Sequence, residues 1–190
     1  MLETTVSLGV FLVLSYALVV TLDMANDSQS AVSRRSAEVR TARTTQDALA
    51  DELRQADSDD VQIETLEDGN HQVSLRQPIE VAGAAVWGVF DATLGSSDDE
   101  RNRQDWRVRY TVILGAENGV AVRRLVRQII DVDGAVQRQQ VLRSGLLSGV
   151  GARPGFQVTR VGDLWRVQIA AEKHGSNAIQ VEDFHVGLRN

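Results

Sequence analysis

Residues 106–142, WRVRYTVILGAENGVAVRRLVRQIIDVDGAVQRQQVL, combine alternating apolar side chains with two tight-turn signals. Every second residue from 106 to 112 is apolar, which is the period expected of a half-buried β-strand. Glu-Asn-Gly at 117–119 and Asp-Gly at 133–134 are residue types that favour tight turns between antiparallel strands. This stretch therefore predicts three consecutive strands, over residues 106–112, 120–130 and 137–142.

The same period of two continues on both sides of this stretch. Apolar or alternating runs predict further strands over residues 72–75, 86–90 and 165–169. Residues 95–105 are polar and charged, and residues 148–155 are rich in glycine, so both are predicted to be loops. We expect residues 59–190 to form one antiparallel β domain.

The last predicted strand contains a change of parity. Ile179 and Val181 are apolar at odd positions, whereas Phe184 and Val186 are apolar at even positions. Because neighbouring side chains of a strand point to opposite faces, this change predicts a bulge or a break at residues 182–183.

Residues 1–57 predict a single long helix. The half up to residue 25 is mainly apolar, and residues 26–58 are polar and contain neither proline nor glycine. The polar half carries a stripe at helical spacing, formed by Val32, Val39, Ala42, Leu49, Leu53 and Ala56. This stripe indicates an amphipathic helix lying on the following domain, or a coiled coil. The predicted fold class is α+β, with a long N-terminal helix followed by an antiparallel β domain.

The apolar run at residues 6–22 has three possible explanations. Its length is at the short end for a membrane-spanning helix, about 17 to 25 residues. A cleaved signal peptide is disfavoured, because no basic residue precedes Arg34 and Asp23 occupies a position of the possible cleavage site that requires a small residue. A buried globular helix is disfavoured because apolar residues lie all round the helix. We expect a retained single-pass anchor.

Composition excludes several classes of function. The net charge of −6 argues against a nucleic-acid-binding protein, and the absence of cysteine excludes zinc thiolate sites and a cysteine nucleophile. No serine lies in a nucleophile-elbow motif, and the histidines show no ligand spacing, so we expect neither an enzyme nor a cofactor. Asp131 and Asp133 resemble the start of a calcium loop, but the third acidic position and the closing glutamate are missing.

The chain as a whole resembles the type IV pilin-like proteins, and among them the minor pilins and minor pseudopilins of type IV pili and type II secretion. The resemblance consists of Leu2-Glu3 before the apolar helix, the polar continuation to Asp57, and the C-terminal β domain. ALADELRQA at 48–56 is similar to the end of the family's long helix. The segments RVRYTVI, VRRLVRQ and VLRSGLLSGV, with Phe156 after them, resemble the J-type minor pseudopilins.

This resemblance implies a non-enzymatic filament subunit that acts at the tip or in filament initiation. In the family, the glutamate meets the N-terminal amine of a neighbouring subunit, which assigns Glu3 to filament assembly. The implied helix packing is by Val6, Val10 and Leu14. The amine is methylated after a basic leader is removed, and it cannot be assigned to a residue of the chain that begins at Met1.

The implied location is the bacterial inner membrane, with a periplasmic C-terminal domain, before assembly into a filament. The implied partners are other pilin or pseudopilin subunits, the inner-membrane assembly platform and, in some systems, secreted cargo; no nucleic acid is implied. The main alternative is a single-pass anchored scaffold or envelope transport protein with a β domain. An anchored hydrolase is a third possibility.

Overall fold

A computed structural model describes residues 2–117, 119–148, 153–172 and 178–187. Within the N-terminal helix, the side chains of residues 2–14, 34, 35, 37 and 38 are outside this description. The chain divides into two compact units, Met1–Arg43 and Thr44–Asn190.

The first unit is helical. Helix α1 spans Leu2–Gln55 and continues into the second unit. Val32 and Val39 of the predicted apolar stripe are exposed, whereas Leu49 and Leu53 are completely buried. Only the end of the helix therefore uses this stripe to pack in the core of the β unit.

The predicted inner-membrane anchor is wrong. Where the structure describes the side chains of α1, the helix has no apolar stretch long enough to cross a membrane. In that part of the helix, Asp23 interrupts the apolar residues, and polar residues predominate from Asn26 onward. The alternative of an anchored envelope scaffold relied on the same membrane span.

Strands dominate the second unit, and α2 (Asp98–Arg101) is a single short turn of helix. The strands are β1 (Gln62–Thr65), β2 (His71–Leu75), β3 (Gln77–Val81), β4 (Ala84–Phe90), β5 (Asn102–Gln104), β6 (Arg107–Glu117), β7 (Val120–Ile130), β8 (Val136–Ser144), β9 (Phe156–Val161), β10 (Leu164–Glu172) and β11 (Ile179–Gly187). They form a five-stranded sheet in the order β1-β2-β6-β7-β8 and two three-stranded sheets, β11-β10-β9 and β3-β4-β5. All the pairings are antiparallel.

The predicted α+β fold class is therefore wrong. The described residues fold mainly as antiparallel β structure in three sheets. The prediction was a long helix, one half of it spanning the membrane, followed by a single β domain. The prediction failed because alternation identifies strands one at a time, whereas the division into sheets depends on contacts between residues that are distant in sequence.

Two predicted hairpins are confirmed. β6 pairs with β7 from Arg107–Ile130 to Glu117–Val120, and β7 pairs with β8 through the turn at Gly134. Gly134 has a φ of 82°, a left-handed conformation that glycine adopts without steric cost.

The predicted break at Glu182–Asp183 is wrong. β11 pairs with β10 in one uninterrupted register. The parity changes because Ile179 and Val181 are exposed on the outer face, while Glu182 occupies a buried position on the core face beside Arg143. A paired carboxylate therefore replaces an apolar residue at a core-facing position.

One core joins the helix end to all three sheets. Leu49 and Leu53 pack with Tyr110 of β6 and with Trp165 and Val167 of β10. Each of these side chains is at least nine-tenths buried. Because removing apolar area from water is the main favourable term in folding, this shared core accounts for the attachment of the last turns of α1 to the β unit.

Two polar residues at the start of β2 join the five-stranded sheet to β9. The Asn70 side-chain carbonyl accepts a hydrogen bond from the Phe156 N–H at 2.9 Å, and the His71 ring nitrogen Nδ1 lies 2.9 Å from the Val158 carbonyl oxygen. Asn70 is completely buried, and its amide also donates to Asp68 at 2.8 Å. These bonds fix the position of one sheet against the other.

Candidate functional site

Large apolar side chains are exposed along residues 16–24 of α1, which we call the apolar segment. Tyr16 is 73% exposed, Leu18 62% and Leu22 59%. At 100° of rotation per residue, these three side chains together with Val19 and Met24 lie on several sides of the helix. An isolated helix would thus present apolar surface to water in nearly every direction.

All four residues predicted to form the assembly site lie near the start of α1. Glu3, Val6, Val10 and Leu14 belong to α1, but their side chains lie outside the described residues. The apolar segment begins directly after them, and its side chains were not among the predicted site residues.

A buried ion cluster joins the last turns of α1 to β6, β7 and the residues after β4. The Arg127 guanidinium donates to Glu52 Oε1 from Nε at 2.9 Å and from NH2 at 2.7 Å. Its third nitrogen, NH1, donates to Asp91 Oδ2 at 2.9 Å. The Tyr110 hydroxyl donates to the other Glu52 oxygen at 2.5 Å. We call these four residues the Arg127 cluster.

Burial and neighbouring charges shift the pKa values of Arg127, Tyr110 and Asp91. Burial alone lowers the pKa of Arg127, but the charge and hydrogen bonds of Glu52 raise it well above its usual value. Burial and the negative charge of Glu52 raise the pKa of Tyr110. Burial opposes ionisation of Asp91, but hydrogen bonds from Thr93 and Arg127 hold its pKa below the usual value. The cluster is therefore a guanidinium between two carboxylates, with a neutral phenol beside it.

A second polar group fixes the preceding turns of α1 to the edges of two sheets. The Thr45 hydroxyl donates to the Leu142 carbonyl at 3.2 Å, and the Gln46 amide donates to Glu182 at 3.2 Å. Arg143 of β8 also pairs with Glu182 of β11. Together with the Arg127 cluster, this group fixes residues 45–52 of α1 by directional bonds as well as by apolar packing.

Asp131 and Asp133, the two weak candidates for calcium binding, lie in the hairpin turn between β7 and β8. Asp131 Oδ1 accepts the backbone N–H groups of Asp133 at 3.0 Å and Ala135 at 2.9 Å, and Oδ2 accepts the Gln137 amide at 2.6 Å. These bonds, of which that from Ala135 has the largest effect, lower the pKa of Asp131. In the part of the chain that the structure describes, no three potential ligand side chains lie close enough together to hold a metal ion.

Comparisons of this chain with protein-family models, with curated proteins and with solved structures find no match. The candidate site is therefore defined by its geometry alone. It is the exposed apolar segment of α1, and the last turns of the same helix are fixed in the β unit.

Proposed function

We propose that this protein is a non-enzymatic, minor subunit of a type IV pilin-like filament or pseudopilus. In this proposal, the apolar segment of α1 packs among the corresponding helices of neighbouring subunits. Filament initiation or a position at the tip is the role that the resemblance in residues 2–57 implies. Other pilin-like subunits would be the direct partners, with the assembly platform and secreted cargo as further ones.

The observation that carries the proposal is the exposed apolar segment. Burying a large apolar side chain contributes about 1.5–3 kcal/mol, so covering Tyr16, Leu18 and Leu22 offers a substantial driving force for association. Because these side chains lie on several sides of the helix, one partner helix would leave part of the surface uncovered. A bundle of several helices fits this distribution better than a two-stranded coiled coil, which uses a single seam.

Glu3 has an electrostatic role in this proposal. A carboxylate among packed apolar helices is stabilised only if it meets a cation, and a neighbouring N-terminal amine would supply one. This pairing would fix how far one helix lies along the next, whereas the apolar segment would supply most of the attraction.

The proposal can be tested with two variants that add the same charge to α1. The full-length tagged protein, Leu18→Glu and Ser28→Glu would each be isolated from the native cells. We expect the unchanged protein and Ser28→Glu to bring down proteins that carry a glutamate before an apolar N-terminal helix. Recovery with Leu18→Glu should fall by about tenfold or more, since the lost burial and the added charge together exceed 1.4 kcal/mol.

Urea unfolding of the β unit serves as the control for this comparison and should be the same for both variants. Equal recovery with Leu18→Glu and Ser28→Glu would overturn the proposal. The proposal would also be overturned if the unchanged protein recovered only proteins that lack a glutamate before an apolar N-terminal helix.

A further inference from the structure

Residues 136–141 at the β8 edge of the five-stranded sheet are exposed, whereas Leu142 and Arg143 contact α1 and β11. β8 is the terminal strand of that sheet, and all the residues from 136 to 141 have exposed side chains. An edge strand presents a row of backbone donors and acceptors that a second extended strand can pair with. β8 is therefore a potential interaction surface, separate from the apolar segment of α1.

This edge has few of the features that protect edge strands from pairing. β8 contains no proline and no acidic residue, and Arg138 is the one charged side chain between residues 136 and 141. Its register against β7 shifts between Ile129 and Ile130 and between Leu125 and Val126. Between those shifts, residues 138–141 pair evenly with β7, so this part of the edge keeps regular strand geometry.

A chain of side-chain hydrogen bonds crosses the sheet and ends at this edge. Arg109 Nε of β6 donates to Gln128 Oε1 of β7 at 2.9 Å. Gln128 Nε2 then donates to Gln139 Oε1 of β8 at 2.7 Å. A glutamine amide carries two N–H donors beside its acceptor, so the exposed Gln139 can extend this amide ladder onto a further strand.

We propose that β8 pairs in antiparallel orientation with β8 of a second copy of this chain, about a two-fold axis at Gln139. The two Gln139 side chains then face each other, and the two amide ladders join into one that crosses both sheets. Arg138 lies opposite Gln140 of the second copy, so the guanidinium, whose NH1 donates to the Thr93 carbonyl at 3.2 Å, can meet an amide oxygen with its other nitrogens. Gln137 lies opposite Val141, an exposed valine that the pairing partly covers.

The charges of β8 favour this register. Moving the axis from Gln139 to Arg138 would place two arginines opposite each other, which destabilises a strand pair. An axis between two adjacent residues would bring opposite faces of the two sheets together, because side chains alternate along a strand. The other edge of the sheet, β1, has four residues and offers a shorter partner for head-to-tail pairing.

Disulfide formation can test this register, because the natural chain has no cysteine. Gln139→Cys places two thiols across the proposed axis, where facing Cβ atoms lie about 4.5–5.5 Å apart. Glu64→Cys is the control on β1, the opposite edge of the same sheet. Both would be made in the full chain carrying Leu18→Glu, so that helix association does not bring the strands together. We expect covalent dimers to form at least about tenfold faster with Gln139→Cys than with Glu64→Cys.

A charge exchange tests the same axis without a covalent bond. Gln139→Glu and Gln139→Lys each place like charges opposite each other, and each should raise the dimer dissociation constant about fivefold. An equimolar mixture of the two variants should restore the original affinity. Equal cross-linking by Gln139→Cys and Glu64→Cys, or a disulfide that forms only when the two cysteine variants are mixed, would overturn the proposal. Because the Leu18→Glu background removes the helix contact, these outcomes do not depend on the proposed filament function.

Discussion

Arg127 forms ion pairs in the core with two acidic side chains, Glu52 and Asp91. Its side chain is 10% exposed, and those of Glu52 and Asp91 are 13% and 12% exposed. Transferring a charge out of water is costly, so each member of such a group depends on the others. The sequence does not reveal this dependence, because Arg127 is one of three arginines in VRRLVRQ and Glu52 is one of several acids on α1. Only the fold brings these two residues together across 75 positions of the chain.

Replacing Arg127 should therefore destabilise the protein far more than replacing an exposed arginine. We expect Arg127→Met to lower the free energy of unfolding by about 3–5 kcal/mol, because it leaves two buried carboxylates unpaired. The control is Arg166→Met, which removes an exposed ion pair with Asp183 and should cost less than about 1 kcal/mol. Urea unfolding at pH 7 measures both values, and similar losses for the two variants would contradict this account.

At the scale of elements, β4 lies so close to β5 that position 88 of β4 requires a glycine. A Cβ atom added to Gly88 would lie 2.2 Å from the Arg103 carbonyl oxygen and 2.7 Å from the Ile79 side chain. We expect Gly88→Ala to cost about 1–3 kcal/mol and to separate β5 from β4, because backbone atoms cannot move aside easily. Gly187→Ala is the control, since its Cβ would meet nothing nearer than 4.0 Å. Hydrogen exchange of the β5 amides measures the separation; unchanged protection in Gly88→Ala would refute it.

The strands that the sequence predicts are marked by apolar alternation or by turn signals at their ends. β6 and β10 contain stretches in which alternate residues are buried, so a period of two is visible there, whereas β7 is buried continuously from residue 125 to 130 and is marked by the turn signals on both sides of it. α2 and β5 lie within residues 95–105, which are polar and predict only a loop. α2 forms through a capping box between Ser97 and Glu100, and β5 forms by pairing with β4. Both depend on hydrogen bonds rather than on an apolar pattern, so hydrophobic periodicity does not detect them.

For the molecule as a whole, the arrangement of the sheets is held by acids that are paired or hydrogen-bonded at their junctions. Asp60 accepts hydrogen bonds from Arg76 and Arg107. Asp68 accepts hydrogen bonds from Asn70 and Arg123. Asp91 accepts hydrogen bonds from Thr93 and Arg127. In each case, burial opposes ionisation, but these bonds and charges lower the pKa of the carboxyl group. Each aspartate also bonds to an arginine that is 36 to 55 positions away in sequence. For this reason, neither these ion pairs nor the three-sheet arrangement could be predicted from local patterns.

These lowered pKa values predict a loss of stability in acid. The folded pKa values of Asp60, Asp68 and Asp91 lie below the usual value of 3.8, so near that pH the unfolded chain binds more protons than the folded one. The stabilisation is fully present above about pH 5 and should decrease as the pH falls through 3.8 and then through the lowered values. Urea unfolding midpoints measured from pH 7 down to pH 2.5 should fall steadily over the acid part of this range. Asp60→Asn should be less stable at pH 7 but should lose less on acidification, since asparagine binds no proton. Midpoints that stay constant in acid, or an equal acid loss in Asp60→Asn, would show that these carboxylates do not hold the sheets together.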